Sequence, residues 1–568
     1  MSTNFSWEMR PTVGGIDFGP ELNTLLPPLV RKLLAQRGIT GKEQAEKFLY
    51  PRLADLGDPF SLAEMDKAVA RIFDAIDNRQ EICIYGDYDV DGVGSVTLLR
   101  AILRAYGAAP RFFIPIRTQE GYGLSEAGIA RCMREGPLPN LLITVDCGTS
   151  SVEEVAALQA MGIDVIILDH HEAGPLGRPD AVAVINAKLE TESPLTYLCS
   201  AGVVFKLAHA LLKERKVPGF DLKHYLDIVA IATVADIVPL VAENRLLTRY
   251  GLKVLGEGRN IGLLALNEVA GMNRSPSASH VSFRIGPRIN AAGRMDSPLD
   301  AVELLITQDS IRARALAQRL DSHNKARQAE EEKIRMEAID MLHRHFDPAN
   351  DHVIVLGSPT WHPGVVGIVA SLLMRRYHKP TFIISIDENG LGKGSGRSIP
   401  GVSLVQAIHH CAEHLESGGG HDMAAGLVIR EEKLDAFRKA FNAFVRETTS
   451  EKQRKPILHI DAEVTFPELT LDLLDSYELL EPFGNTNPQP VFMSRNIALT
   501  DVPKRLQGNH LRLFLKQGVS EHDAIYFNGG EMRLPDPPWD IAFTITRNVW
   551  RGRSSLSISI QDIRSSEP

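Results

Sequence analysis

The stretch EICIYGDYDVDGVGSVTLLRAILRAYG (residues 81–107) decides the fold. A short apolar run, ICIYG, ends in the acidic turn GDYDVDG (residues 86–92), and the turn leads into a segment whose apolar residues recur at helical spacing. The same order of strand, turn and helix repeats downstream. Apolar runs follow as RFFIPI from Arg111, LLITVD from Leu141, DVIILD from Asp164 and AVAVIN from Ala181, with helix-like segments such as SVEEVAALQAMG between them. Strands alternating with helix-length segments build a parallel sheet covered by helices. Residues 80–190 are therefore expected to form a doubly wound α/β domain.

Beyond it, the pattern turns helical from Ser200 to about Gly258. A long charge-rich stretch then runs over residues 297–346, and its mixed charges suit a solvated helix bridging two domains. A second α/β pattern starts at DHVIVLG (residues 351–357) and ends near residue 450. After the polar linker TTSEKQRKP come short alternating runs (PVFMS, NIALTDV, HLRLFLK, HDAIYF, IAFTITRNVW, LSISIQDI), the signature of a small β-barrel. Residues 1–60, punctuated by proline, declare no fold.

The chain has 568 residues, enough for three or four domains. Its formal net charge is -9, from 62 Lys and Arg against 71 Asp and Glu, so any nucleic-acid site must be local rather than a product of bulk charge. A hydrophobic share of 44% and a charged share of 23% exclude a disordered or mainly membrane-embedded chain. The five cysteines are scattered, with no C-x-x-C pair, so neither a disulfide framework nor a zinc knuckle is expected. The first residues lack a basic, then apolar, leader, and no long uninterrupted apolar run occurs. A cytoplasmic protein without a membrane segment is expected.

Chemistry concentrates at the strand ends. Asp87, Asp89 and Asp91 crowd one turn, and carboxylates this close repel unless a cation neutralises them. An EF-hand is excluded, because no Glu follows at the required offset. Asp146 ends the strand LLITVD, and Asp169, His170 and His171 end DVIILD. In an open parallel sheet such ends line one crevice. Asp236, in ATVADIVPL, is a lone carboxylate among apolar neighbours and needs a cation or a hydrogen-bond network. A strand-terminal Asp also serves as a helix cap, and paired histidines also occur on surfaces; convergence on one crevice is what sets these apart. Carboxylates with imidazoles and no thiolate suit Mn²⁺ or Mg²⁺, and the number of donors allows two ions, the arrangement that hydrolyses phosphoesters.

The segments GDYDVDG, VDCG, LDHHE and TVADIVPL, in this order, resemble the four motifs of the DHH phosphoesterase superfamily. GSGRS (residues 394–398) and GGGHDMAAG (residues 418–426) resemble the signatures of the companion DHHA1 domain. RIGPRINAAGRM, WHPGVVGIVAS and EPFGNTNPQPVF look like those of the RecJ family of bacterial single-strand DNA exonucleases. The resemblance implies a parallel-sheet DHH domain over 61–296 after an extension over 1–60, a helical linker over 297–346, a smaller α/β DHHA1 domain over 347–450 and an OB-like barrel over 456–568. It further implies a two-metal exonuclease that digests single-stranded DNA from the 5′ end to mononucleotides in repair and recombination. A single-strand DNA-binding protein and a repair helicase are the partners it implies, and a monomer is expected. A DHH phosphodiesterase for short oligonucleotides or cyclic dinucleotides, and a nonhydrolytic scaffold, are the alternatives.

The same resemblance distributes roles. Asp87, Asp89, Asp91, Asp146, Asp169, His170, His171 and Asp236 would hold the ions, with His421 beside them. Arg117, Ser395 and Arg397 would form a pocket for the 5′-terminal phosphate, and Arg288, Asn290 and Arg294 would be further strand contacts. In GLGKGSGRS and SGGGHDMAAG the glycines, among them Gly419 and Gly420, are expected to leave the backbone open to phosphate. His362 starts a helix whose N-terminus favours an anion. In the barrel, Arg505, Arg512, Arg547 and Trp550 belong to basic and aromatic residues suited to a groove for single strands.

Overall fold

The computed structural model describes residues 5–566 apart from 117–119, 122, 273–275, 296, 297, 348, 349 and 551, together with the backbone but not the side chains of Met295, His345 and Trp550. The chain divides into two compact units. The first comprises Glu46–Ala326 and Leu480–Pro488, the second Met1–Ala45, Arg327–Leu479 and Gln489–Pro568.

The first unit is built on a five-stranded, all-parallel sheet. Its strands are β1 (Ile82–Gly86), β2 (Arg111–Phe113), β3 (Leu141–Val145), β4 (Asp164–Leu168) and β5 (Ala183–Ile185), in spatial order 2-1-3-4-5. Strands β1 and β3 are buried along their whole length, the pattern of a sheet covered on both faces. Helices α1 (Val90–Ala105), α2 (Glu126–Arg134) and α3 (Val152–Ala160) connect them, as the sequence leads one to expect. With this order, the chain leaves β1 for opposite sides of the sheet on its way to β2 and β3, which opens a crevice at the carboxyl ends of β1 and β3. The helices α4 (Ser200–Glu214), α5 (Leu226–Ala235), α6 (Ala242–Glu257) and α7 (Gly286–Met295) also belong to this unit. Residues 53–57 lie against it, held by the buried Lys206 ammonium, which donates to Gly57 O at 2.9 Å and pairs with Glu243 at 2.9 Å.

The helix α8 (Ser310–His345) is one continuous element of 36 residues. It is not solvated all round. Ala313, Leu316, Ala317 and Leu320 are buried in the first unit, and Ile334, Ala338 and Leu342 in the second. These apolar residues stand three or four apart, a stripe that the abundance of charge hides in a composition count. Among the described residues, no helix is long and apolar enough to cross a membrane.

In the second unit, β6 (Ile354–Ser358), β7 (Thr381–Ile386), β8 (Leu391–Arg397), β9 (Ser417–His421) and β10 (Ala424–Arg430) form a mixed sheet in the order 9-10-8-7-6, with α9 (Val366–Tyr377) packed on it. The barrel follows. Its strands β11 (Phe492–Leu499), β12 (Leu511–Gln517), β13 (Ser520–Tyr526), β14 (Trp539–Trp550) and β15 (Arg553–Ser565) run in the order 11-14-15-13-12, and pairing of β12 with β11 closes them on themselves. The N-terminal residues find partners here: Ser6–Met9 pair in parallel with Ile457–Ile460, and the Trp7 indole donates to Asp562 at 2.8 Å.

Candidate metal centre and nucleic-acid interface

The turn after β1 is shaped by its glycines. A Cβ at Gly86 would stand 2.3 Å from Val96, and one at Gly92 would stand 2.4 Å from Asp87 O, so nothing larger fits at either end. Asp89 caps α1 by accepting the amides of Asp91 and Gly92 at 2.9 and 3.2 Å. Asp91 is buried in the first turn of α1, where both of its oxygens accept amides at the start of α4, from Ser200 at 2.7 Å and Ala201 at 2.8 Å. The Ser200 hydroxyl donates to Asp146 at 3.0 Å. Asp146 itself sits at φ +61°, a left-handed conformation rare for a residue with a side chain.

Three donor sets overlap in this crevice: Asp146 with His170 and His171, Asp91 with His170 and Asp236, and Asp87 with Asp89 and Asp146. The His170 Nε2 lies 3.4 Å from Asp146, 3.5 Å from Asp236 and 3.7 Å from Asp91. Burial pushes the Asp91 carboxyl up and the Asp146 carboxyl well up, with neighbouring carboxylates adding to the effect, and it pushes Asp236 to about 8. Burial lowers His170. Both His170 ring nitrogens and Asp236 Oδ2 are buried without a hydrogen-bond partner among the described residues. Orphaned buried donors among crowded carboxylates are what a divalent cation satisfies, and oxygen with imidazole suits Mn²⁺ or Mg²⁺. The residues fit two ions, with Asp146 and His170 each shared between sets.

Asp169, expected among the ligands, is in none of these sets. Its oxygens accept the amides of Thr149 at 3.0 Å, His170 at 2.7 Å and His171 at 3.2 Å, and its Oδ1 contacts His171 Nδ1 at 2.8 Å. Burial opposes its charge, yet the His171 and Thr149 contacts hold its carboxyl well below the usual range. The same contact lifts His171 to about 9 against the effect of burial. Asp169 thus orients His171, the part a carboxylate behind a ligating imidazole plays. Asn290, expected to touch DNA, accepts the Val90 amide at 3.0 Å, and a Cβ at Gly293 would meet Tyr88 O at 2.9 Å, so α7 braces the acidic turn. Arg288 is engaged by Asp321 at 2.9 Å. Arg294 lies one residue from Gly293, half-buried. Arg117 lies outside the described residues.

In the second unit, Ser395 and Arg397 lie on β8, and the guanidinium donates to the Ser395 hydroxyl at 3.1 Å. A Cβ at Gly367 would stand 2.9 Å from Ser395 Oγ and 3.4 Å from Arg397 Nη2, so the first turn of α9 abuts both. His362, just before that helix, accepts the Gly364 amide at 3.1 Å through Nδ1. Gly392, Gly394 and Gly396 of GLGKGSGR serve packing rather than an open backbone. Cβ atoms at Gly392, Gly394 and Gly396 would collide with Ile384, Leu427 and Phe382 at 2.7, 2.8 and 2.3 Å. Gly419, Gly420 and His421 are exposed on the edge strand β9, where Gly419 faces open space.

The barrel's basic residues mostly have acidic partners. Arg512 pairs with Asp523, Lys516 with Glu521 at 2.9 Å, Arg495 with Glu463 at 3.1 Å and Arg547 with Glu478 at 2.8 Å, while Arg505 donates to Gly530 O at 3.0 Å. A count along 495–516 meets only Asp501, because the other acids arrive from neighbouring segments. The Trp550 side chain lies outside the described residues. Two residues carry little signal in the sequence: Ser200, a small polar residue opening a helix, and Phe283, 77% exposed on the π-helical turn Val281–Ile285 before α7; Asn485 lies in the motif EPFGNTNPQPVF, but its partner is remote along the chain.

Comparison with known proteins agrees with this geometry. The chain matches the DHH family N-terminal domain over residues 81–233, the DHHA1 domain over 350–447 and the RecJ OB domain over 460–562. It is 37% identical to the single-stranded-DNA-specific exonuclease RecJ of Bacillus subtilis, covering 95% of this chain and 68% of that protein. To the Escherichia coli protein of the same name it is 33% identical, covering 96% of this chain and 98% of that one. The crystal structure of Thermus thermophilus RecJ in complex with Mn²⁺ superposes with a TM-score of 0.82 at 29% identity, covering 100% of this chain and 81% of that chain. The succession of domains, the ligand-bearing strand ends and the extent of these matches place the chain in the RecJ family.

Proposed function

We propose that the chain is a metal-dependent exonuclease that degrades single-stranded DNA from the 5′ end to mononucleotides by two-metal hydrolysis, in DNA repair and recombination. The observation that carries this is the sharing of Asp146 and His170 between overlapping donor sets at the strand ends of a RecJ-family chain. Two Mn²⁺ or Mg²⁺ ions held by Asp87, Asp89, Asp91, Asp146, His170, His171 and Asp236 would supply an activated water and a counter-charge for the leaving oxygen.

The chain's own residues do the rest. Asp169 orients His171, and the amides of Ser200 and Ala201 keep Asp91 in place. Ser395 and Arg397, with the start of α9, bind the 5′-terminal phosphate, and His421 binds the strand; Arg117 is a further phosphate-binding residue. Phe283 and the barrel residues Arg505 and Trp550 guide the strand by stacking and backbone contact. The functional division follows as an extension (1–60), a catalytic domain (61–296), a linker (297–346), a phosphate-gripping domain (347–450) and a barrel (456–568). The protein acts in the cytoplasm as a monomer, beside a single-strand DNA-binding protein and a repair helicase.

The test is degradation of end-labelled single-stranded DNA with Mn²⁺, with Asp146→Ala as control. Mononucleotides released by the unaltered chain alone support the proposal. Cleavage confined to short oligonucleotides or cyclic dinucleotides, or none, overturns it.

A further inference from the structure

The carboxylate of Asp236 enters the centre from the end of α5, and the residue after it is under strain. Ile237 sits at φ +58°, a region costly for a β-branched side chain, and its side chain is 69% exposed. No burial of Ile237 compensates this. Such a conformation persists only where the surroundings over-determine it.

The surroundings here are the short segment Leu480–Pro488, remote in sequence yet part of the first unit. The Asn485 side-chain amide donates to Ile237 O at 2.7 Å, and Asn485 O accepts the Leu240 amide at 2.9 Å. Leu240 is buried, and a Cβ at Gly484 would stand 2.7 Å from it, so the segment and the loop meet backbone against side chain. The segment is itself anchored. Buried Asn487 donates to Leu480 O at 2.9 Å and Pro482 O at 2.8 Å, and buried Arg245 donates to Leu480 O at 2.9 Å. On the other side, Asn244 donates to Pro239 O at 3.0 Å.

We infer that Asn485 is a positioning residue for the metal centre: it holds Ile237 left-handed and so keeps the Asp236 carboxylate aimed at His170 and the ions. The inference rests on the two-metal reading above. Without the Asn485 amide, Ile237 relaxes toward negative φ, which rotates the peptide that follows Asp236 and carries its carboxylate off line. The hydrogen bond is exposed, so the effect is graded rather than total.

The experiment measures Mn²⁺ binding to the full chain by calorimetry, together with hydrogen exchange of the Ile237, Val238 and Leu240 amides in metal-free protein. Asn485→Ala should weaken the Mn²⁺ ion bound through Asp236 by about threefold to tenfold, the range of one net hydrogen bond, and speed exchange at Leu240. Placing Ile237→Gly in the Asn485→Ala background should restore most of the affinity, because glycine takes a positive φ without steric cost. Unchanged affinity and exchange in Asn485→Ala overturn the inference, as does a loss that glycine at 237 leaves in place. If the unaltered chain itself bound no Mn²⁺, the two-metal reading would fall instead.

Discussion

Arg397 and His421 occupy one cross-strand row of the second unit's sheet, Arg397 on β8 and His421 on β9, each opposite Ala424 on the strand between them. Directly opposed residues project to the same face, and two strand spacings separate them by about 10 Å. Ser395 lies two residues before Arg397 and shares that face. With the start of α9 against Ser395, the face offers a hydroxyl, a guanidinium, an imidazole and helix N-terminal amides to an anion.

A terminal phosphate carries more charge than an internal diester, so on the proposed reading this face would give the enzyme a means of choosing an end. Each charge-assisted hydrogen bond is worth about 1.5–3 kcal/mol, so Arg397→Ala should lose about tenfold or more on 5′-phosphorylated strands and much less on 5′-hydroxyl strands. Degradation followed from a 3′ label with both substrates checks this. Equal losses on the two would assign Arg397 to general strand binding.

Asp146 is shared by two donor sets and buried among carboxylates that disfavour its charge. Asp146→Asn should therefore abolish turnover in Mn²⁺ and yet raise the melting temperature of the metal-free protein by a few degrees, because it removes a buried carboxyl whose ionisation burial and its carboxylate neighbours make costly. Turnover beside paired melting curves, with and without Mn²⁺, tests both halves. Near-normal turnover would remove Asp146 from the ligands.

How far the sequence could be read follows from where each signal lies. The parallel sheet and the ligand turns were legible because strand period and acidic residues stand next to each other along the chain, from Asp87 to His171. Asp169 was legible as part of the centre, whereas its orienting role depends on the Thr149 amide reaching it from another loop. Asn290 and Arg288 looked like strand contacts because arginines and amides beside glycines suit phosphate equally well; only the fold puts Val90 and Asp321 in front of them. The glycines at 392, 394 and 396 were misjudged for a related reason, since Ile384, Leu427 and Phe382 come from neighbouring strands. The motif EPFGNTNPQPVF marks the segment that holds Asn485, but its bond to Ile237 spans 248 positions, so nothing local tells what Asn485 meets.

Asp227, near the start of α5, is buried, with Oδ1 accepting the Ile228 amide at 2.8 Å and Oδ2 lacking a partner among the described residues. Burial pushes its carboxyl up to about 7. A carboxyl raised on folding binds more protons in the native state, so it subtracts nothing below about pH 4, costs progressively more as pH rises to 7, and a constant amount above. Asp227→Asn should stabilise the protein by about 4 kcal/mol at pH 8, and by little at pH 4. Denaturant unfolding at the two pH values measures this. A gain that does not vary with pH would point to packing rather than ionisation.

Removing the barrel is not a clean test of strand guidance, because the fold makes it a compound one. Cutting the chain at residue 456 also deletes Leu480–Pro488, which belongs to the first unit and holds the loop after Asp236. The truncated chain should therefore lose salt-dependent affinity for single strands and also bind Mn²⁺ more weakly. A substitution on the barrel separates the two effects. Arg505 is exposed on a short strand and, among the described residues, donates to the Gly530 carbonyl of the same unit, so Arg505→Glu leaves the first unit untouched. One lost phosphate contact flattens the slope of log affinity against log salt by about 0.7 for a single strand. Arg505→Glu should show that change with its Mn²⁺ affinity intact, measured by titrating labelled oligonucleotide at several salt concentrations and Mn²⁺ by calorimetry. An unchanged slope would take Arg505 off the path of the strand, and a truncated chain with full Mn²⁺ affinity would show that Asp236 holds its position without the 480–488 segment.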